Sequence, residues 1–164
     1  MRLWTVQSED WYRRLEIDGK IQCNIDMIPD LFYEPMYAWM SEQMKKRLGS
    51  DKYHADYPIW AWAIFEGENK RPDLRKIEFS HCGYPSYFLE VEIPDDEILL
   101  SDEEDWNIVM GDILNGREYD DWDRIFRLVY EDGTKPRFVQ ACFGELKLNQ
   151  VMSVKVFGKR NNKV

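Results

Sequence analysis

Residues 58–65 read Pro58-Ile59-Trp60-Ala61-Trp62-Ala63-Ile64-Phe65, seven apolar side chains behind a proline. A run without a polar alternate position is too apolar for a strand with one wet face, so it predicts a central strand covered on both sides. Downstream, Gly67 to Pro72 supplies a turn. Arg75–Ser80 and Tyr87–Ile93 then alternate apolar with polar residues, the pattern of two half-buried strands paired antiparallel. Pro94-Asp95-Asp96 closes the second of them. Upstream, Leu3–Gln7 alternates as a short strand. Ser8-Glu9-Asp10 offers a cap and an acidic first turn to a helix over about residues 9–17, which Asp18-Gly19 ends. Lys20–Cys23 returns as a strand, and Pro29-Asp30 marks a loop. Glu34-Pro35 opens a second helix, with Met36, Trp39, Met40 and Met44 as its apolar stripe to Leu48.

Towards the C-terminal end, Ser101-Asp102 caps a helix to about Leu114, and Trp122, Ile125, Phe126 and Val129 repeat at the spacing of a further helix. Arg137–Leu148 and Val151–Phe157 read as two strands joined tightly at Asn149-Gln150. Strands, helices and strands without regular βαβ alternation predict an α+β fold: a mixed or antiparallel sheet, whole or split, with flanking helices. At 164 residues, the length suits a single domain spanning 1–164.

Hydrophobic residues make up 44% of the chain and aromatic ones 15%, too many for a disordered segment. The mean hydropathy of −0.61 and the lack of a long apolar run leave no membrane span. With no basic stretch or apolar h-region at the start, the expected location is the cytoplasm. The net charge of −9 is unevenly spread. Residues 1–85 carry 12 basic and 14 acidic side chains (−2), residues 86–132 carry 3 and 16 (−13), and residues 133–164 carry 7 and 1 (+6). Acidic charge on that scale argues against direct nucleic-acid binding, which depends on Lys and Arg neutralising phosphates. It serves solubility, or it meets a protein partner.

Three widely spaced cysteines, Cys23, Cys82 and Cys142, form no C-x-x-C pair, and the two histidines, His54 and His81, lack a ligand at helical spacing. Neither a disulfide framework nor a metal site is expected. No phosphate loop, dinucleotide-binding glycine pattern, nucleophile elbow or zinc-protease signature occurs. Chemistry therefore has to come from isolated polar residues in apolar surroundings. Gln140 and Glu145 stand in the apolar run 139–148: a regular period of two puts them on opposite faces, whereas a bulge at Gly144 brings both to one strand end. A carboxylate beside an apolar wall can stabilise a developing cation; at a strand edge it simply faces water. Trp60 and Trp62, two apart, share a face that either stacks a planar ring or belongs to the core. Arg2 grips an anion or caps a strand at the surface.

Arg2-Leu-Trp-Thr-Val-Gln, Tyr57-Pro-Ile-Trp-Ala-Trp, Leu99-Leu-Ser-Asp102 followed by Trp106, and Val139-Gln-Ala-Cys-Phe-Gly-Glu-Leu-Lys are similar to an uncharacterised family of small bacterial proteins. More distantly, the order of elements resembles the ADP-ribosyltransferase superfamily. That resemblance implies an enzyme that takes NAD as substrate and transfers ADP-ribose to a macromolecular target, of the toxin or phage-defence type, with an antitoxin-like protein as a further partner. It implies Glu145 as the catalytic carboxylate that bonds the ribose and stabilises an oxocarbenium-like transition state. NAD contacts then fall to Arg2 or Thr5 on the opening strand, to Trp60 or Trp62 against a ring, and to Gln140. The superfamily's first-strand His or Arg is matched here by Thr5, a departure that also fits a non-catalytic protein-binding module built on the same fold.

Overall fold

The structure, a computed structural model, describes residues 1–28, 30–117 and 121–159. Part of the basic +6 segment, residues 160–164, and Pro29 of the loop expected at Pro29-Asp30 lie outside the described residues.

Among the described residues, eight strands and three α-helices follow one another as β1 (Arg2–Ser8), α1 (Glu9–Asp18), β2 (Lys20–Gln22), α2 (Glu34–Leu48), β3 (Ile59–Ile64), β4 (Ser86–Glu92), β5 (Leu99–Asp102), α3 (Glu103–Leu114), β6 (Val139–Phe143), β7 (Glu145–Lys147) and β8 (Val151–Phe157). Six strands make one sheet in the order β5-β6-β3-β1-β4-β8, and β2 and β7 pair as a second, smaller sheet. Every paired set is antiparallel, so the architecture is α+β with an antiparallel rather than mixed main sheet. The apolar run decides the centre as its composition predicts: β3 sits between β1 and β6.

The period of two sorts the side chains of the main sheet onto two faces. Leu3, Ile59, Ala61, Ala63, Leu89, Val91, Ala141 and Phe143 pack with Trp11 and Leu15 of α1. On the other face, Trp60, Leu99 and Cys142 pack under Met36, Met40 and Met44 of α2 and Trp106 and Val109 of α3. The helix signals act as read. The Ser8 Oγ accepts from the Trp11 N–H, and Gly19, at φ 73°, ends α1 in the left-handed region that favours glycine. Pro35 opens α2, and the Asp102 carboxylate caps α3 by accepting from the Glu104 N–H.

Three expectations are corrected. Arg75–Ser80 is not a strand: Ile77–Phe79 forms a single 3₁₀ turn, with Phe79 buried and Ile77 78% exposed. Both edges of β4 are taken, by β1 and β8, which leaves no place for the expected partner. The helical spacing at Trp122 also yields only a 3₁₀ turn, Trp122–Phe126, which already buries Trp122 and Ile125 while Val129 stays exposed. Finally, the run Arg137–Leu148 is two strands. Gly144 breaks it, β6 staying in the main sheet and β7 crossing to the small one. A Cβ at Gly144 would stand 3.0 Å from the Tyr53 ring, tighter than ordinary contact, so glycine lets the chain pass under that tyrosine without displacing it.

Candidate functional site

The antiparallel register aligns Gln140 with Trp62 and Trp62 with Trp4, giving a row of side chains on one face across β6, β3 and β1. Trp60 lies two residues before Trp62, on the same face. α2 and α3 cover the Trp60 end of this face. Over the remainder lies the segment 77–82, anchored by Phe79, whose ring packs against Phe65 at 6.0 Å and Phe88 at 6.3 Å. Between the segment and the sheet is a cavity of about 250 Å³, bordered by Trp4, Trp60, Trp62 and Gln140 from the sheet and by Glu78, His81 and Cys82 from the segment.

Four of these residues carry a polar atom that is sealed from bulk water and has no hydrogen-bond partner among the described residues: Trp4 Nε1, Trp60 Nε1, Gln140 Oε1 and Glu78 Oε2. They are two donors and two acceptors. Ser101, aligned with Gln140 on β5, has an unpartnered hydroxyl of the same kind. Each such group costs about 1–3 kcal/mol when nothing satisfies it; being sealed, these atoms do not open onto the cavity that their own side chains border. The tryptophans differ in their freedom. Trp60 is stacked on Trp106 at 5.2 Å and met edge-on by Tyr37 at 5.9 Å. The ring contacts of Trp62 with Phe65 and Phe138 are both T-shaped, so neither ring lies parallel on it. Burial pushes the Cys82 thiol above its ordinary value, so it borders the cavity as a neutral group.

The residues singled out in the sequence separate into three places. Trp60, Trp62 and Gln140 meet in the cavity. Thr5 also borders it, but only 1% of Thr5 is exposed, and its hydroxyl is committed, donating to the Trp60 carbonyl at 2.7 Å and accepting from Gln7 Nε2 at 2.8 Å. Arg2 stands outside, paired with Glu90 at 3.3 Å. Glu145 lies on the small sheet. It accepts from Lys20 Nζ at 3.2 Å and Gln22 Nε2 at 3.3 Å, with Lys147 at 4.0 Å, and it borders a different, polar cavity of about 200 Å³ beside His54, Lys52 and Glu97. The break at Gly144 that sends β7 to the second sheet is what parts Glu145 from Gln140.

Two members of the cavity escape the sequence reading. Trp4 is legible only as a strand residue, because its pairing with Trp62 joins positions 58 residues apart. Glu78 reads as the polar position of an alternating strand, and the turn that carries it over the sheet has no local signal stronger than Phe79. Among the described residues, no three His, Cys, Asp or Glu side chains gather to hold a metal ion, and no helix is long and apolar enough to cross a membrane.

The chain belongs to a family described as a domain of unknown function (DUF3841), whose model matches residues 2–124. That range holds Trp4, Trp60, Trp62 and Glu78 and stops short of Gln140 and Glu145. Neither the curated proteins nor the solved structures contain a match to the chain.

Proposed function

We propose that this domain binds a small ligand through a planar heteroaromatic ring, held between the sheet and the segment 77–82 with Trp62 as its stacking surface. The observation that carries the reading is that Trp4, Trp60, Trp62, Gln140 and Glu78 border one cavity, four of them with a sealed polar atom that has no partner among the described residues. Apolar walls with a few converging polar groups are the general form of a small-molecule site. Gln140 and Glu78 have flexible side chains, and a change of rotamer turns their oxygens to a ligand.

The resemblance to ADP-ribosyltransferases adds a reaction to this reading: NAD held by its nicotinamide ring, and ADP-ribose passed to a macromolecular target. Support for it comes from the meeting of Trp60, Trp62 and Gln140 in one cavity. Under the same reading, the carboxylate at the ring is Glu78, while Glu145 serves as a link between β2 and β7 through Lys20 and Gln22.

Titration of the protein with NAD, nicotinamide and adenosine, followed by calorimetry and tryptophan fluorescence, tests both steps. The expected result is saturable binding of a ring-bearing compound that Trp62→Ala weakens by about tenfold, the loss of one stacked aromatic face. Nicotinamide release from NAD that survives Glu145→Gln and disappears in Glu78→Gln supports the transferase step. No binding of any of the three compounds removes the proposal.

A further inference from the structure

The main sheet ends in two edges of opposite character. On one side β5 is short and covered: Ser101 and Asp102 are buried, and the Tyr130 hydroxyl closes on the Asp102 carboxylate. On the other side β8 runs for seven residues and pairs, among the described residues, with β4 alone. Its five central residues are all exposed, and three of them are apolar: Met152 at 55%, Val154 at 39% and Val156 at 44%. As far as Lys159 the chain beyond it does not return along the free edge, because Lys159 bridges instead to Gly83, ahead of β4. A long apolar edge with free N–H and C=O groups is a template for another strand, and Lys155 is the one charge in 151–157 that guards it.

We infer that this edge takes a second copy of the chain, β8 against β8, antiparallel about a two-fold axis at Val154. The side chains select the register. It sets Val154 opposite its own copy, Met152 opposite Val156 of the partner subunit, and Lys155 opposite Ser153 of the partner subunit. Of the neighbouring symmetric registers, one sets the two Lys155 ammoniums face to face and the other shortens the ladder. Charge favours the same pairing. Within one chain Trp4, Glu90 and Ser153 align across β1, β4 and β8, so Glu90 stands one strand behind Ser153 and on the same face. Lys155, which makes no ion pair among the described residues, extends over the partner's Ser153 towards the partner's Glu90, two strand spacings or about 10 Å away and within the joint reach of the two side chains. Serine is small enough to leave that path open, and the Glu90 carboxylate, which meets Arg2 at 3.3 Å, has further lone pairs to offer. The two-fold axis makes the pair twice, so the edge is its own complement.

Sedimentation equilibrium of the full chain between about 1 and 100 μM tests the contact. A reversible dimer is expected, and Val154→Asp, which sets two carboxylates opposite each other at an exposed position, is expected to weaken it at least about tenfold. Lys155→Glu is expected to weaken it as well, through repulsion by the partner's Glu90. Val154→Cys reads the register directly. Residues opposite each other in an antiparallel pair lie within disulfide distance, so mild oxidation is expected to give a covalent dimer that the unmodified protein, with Cys23 and Cys142 buried and Cys82 half-buried, does not form. A chain that stays monomeric at the highest concentration overturns the inference. So does a dimer that Val154→Asp leaves intact and Val154→Cys fails to cross-link, because its interface then lies elsewhere. Circular dichroism checks each variant for folding, and the cross-link decides the question even if Val154→Asp misfolds. A dimer that Lys155→Glu does not weaken overturns the role of Lys155.

Discussion

At the scale of single residues, the polar groups of this protein divide into those that are satisfied inside the fold and those that are not. Asp102 is the clearest satisfied case. Its carboxylate is 1% exposed, caps α3 through the Glu104 N–H at 3.0 Å, and accepts from the Tyr130 hydroxyl at 2.5 Å. That bond, more than burial, holds the Tyr130 proton in place and raises its pKa. Tyr130→Phe removes one of the two donors from a buried carboxylate and is expected to cost about 1.5–3 kcal/mol, read as a lower urea midpoint at unchanged slope. Thr5 gives the contrasting prediction for the site. Its hydroxyl ties β1 to β3 through the Trp60 carbonyl, so Thr5→Val is expected to lower stability by about 1–2 kcal/mol. Ligand affinity in the cavity should stay within about twofold, since the hydroxyl has no capacity left to donate. A large loss of affinity with intact stability would place Thr5 in the binding machinery instead.

At the scale of elements, Gly144 decides the most. It lets the chain leave the main sheet beneath Tyr53, a fully buried ring whose hydroxyl donates to Ser41 Oγ at 3.0 Å. Gly144→Ala puts a methyl 3.0 Å from Tyr53 Cδ2 and 3.3 Å from Cε2, so the fully buried ring has to shift by a few tenths of an ångström to admit it. The expected cost is about 1–3 kcal/mol of overpacking, measured by thermal or urea unfolding, with β2–β7 amides losing hydrogen-exchange protection before those of β3. This junction also shows where sequence reasoning stops. The composition of 59–65 places β3 at the centre, because an unbroken apolar run has nowhere else to go, and its period of two correctly sets Trp60 and Trp62 on one face. Gly144 is visible as an interruption, but whether it bulges a strand or moves it to another sheet depends on Tyr53, ninety-one residues earlier. The same limit hides Trp4 and Glu78 from the site, since cross-strand register and the path of a loop over a sheet are not local properties. Apolar spacing, for its part, reports which side chains are buried and not how: one 3₁₀ turn at 122–126 suffices where the spacing suggests a helix.

For the molecule as a whole, the buried titratable groups set a limit on the alkaline side. Burial pushes the Cys23 thiol up to about 11, raises Cys142 well above its ordinary value, and raises Tyr37 and Tyr53 beyond the usual phenol range. All four are neutral when protonated. In the folded chain they keep their protons at a pH where the unfolded chain has released its own, so the folded state binds more protons and stability falls as pH rises. For Cys23 the window opens at the unfolded thiol's value near 9 and closes at about 11. Its contribution across that window is on the order of 2 kcal/mol. Urea midpoints measured under reducing conditions at pH 7.5, 9, 10 and 11 are therefore expected to be level at first and then to fall. Rising negative charge on an already acidic chain adds to the fall, but it acts equally on a Cys23→Ala protein. That variant separates the two causes: it starts less stable, because a buried side chain has been cut back, and its midpoint declines less steeply between pH 9 and 11. Parallel declines in the two proteins would mean that the thiol ionises without opening the core, and that the packing around Cys23 and Tyr57 is looser than its 6% exposure implies.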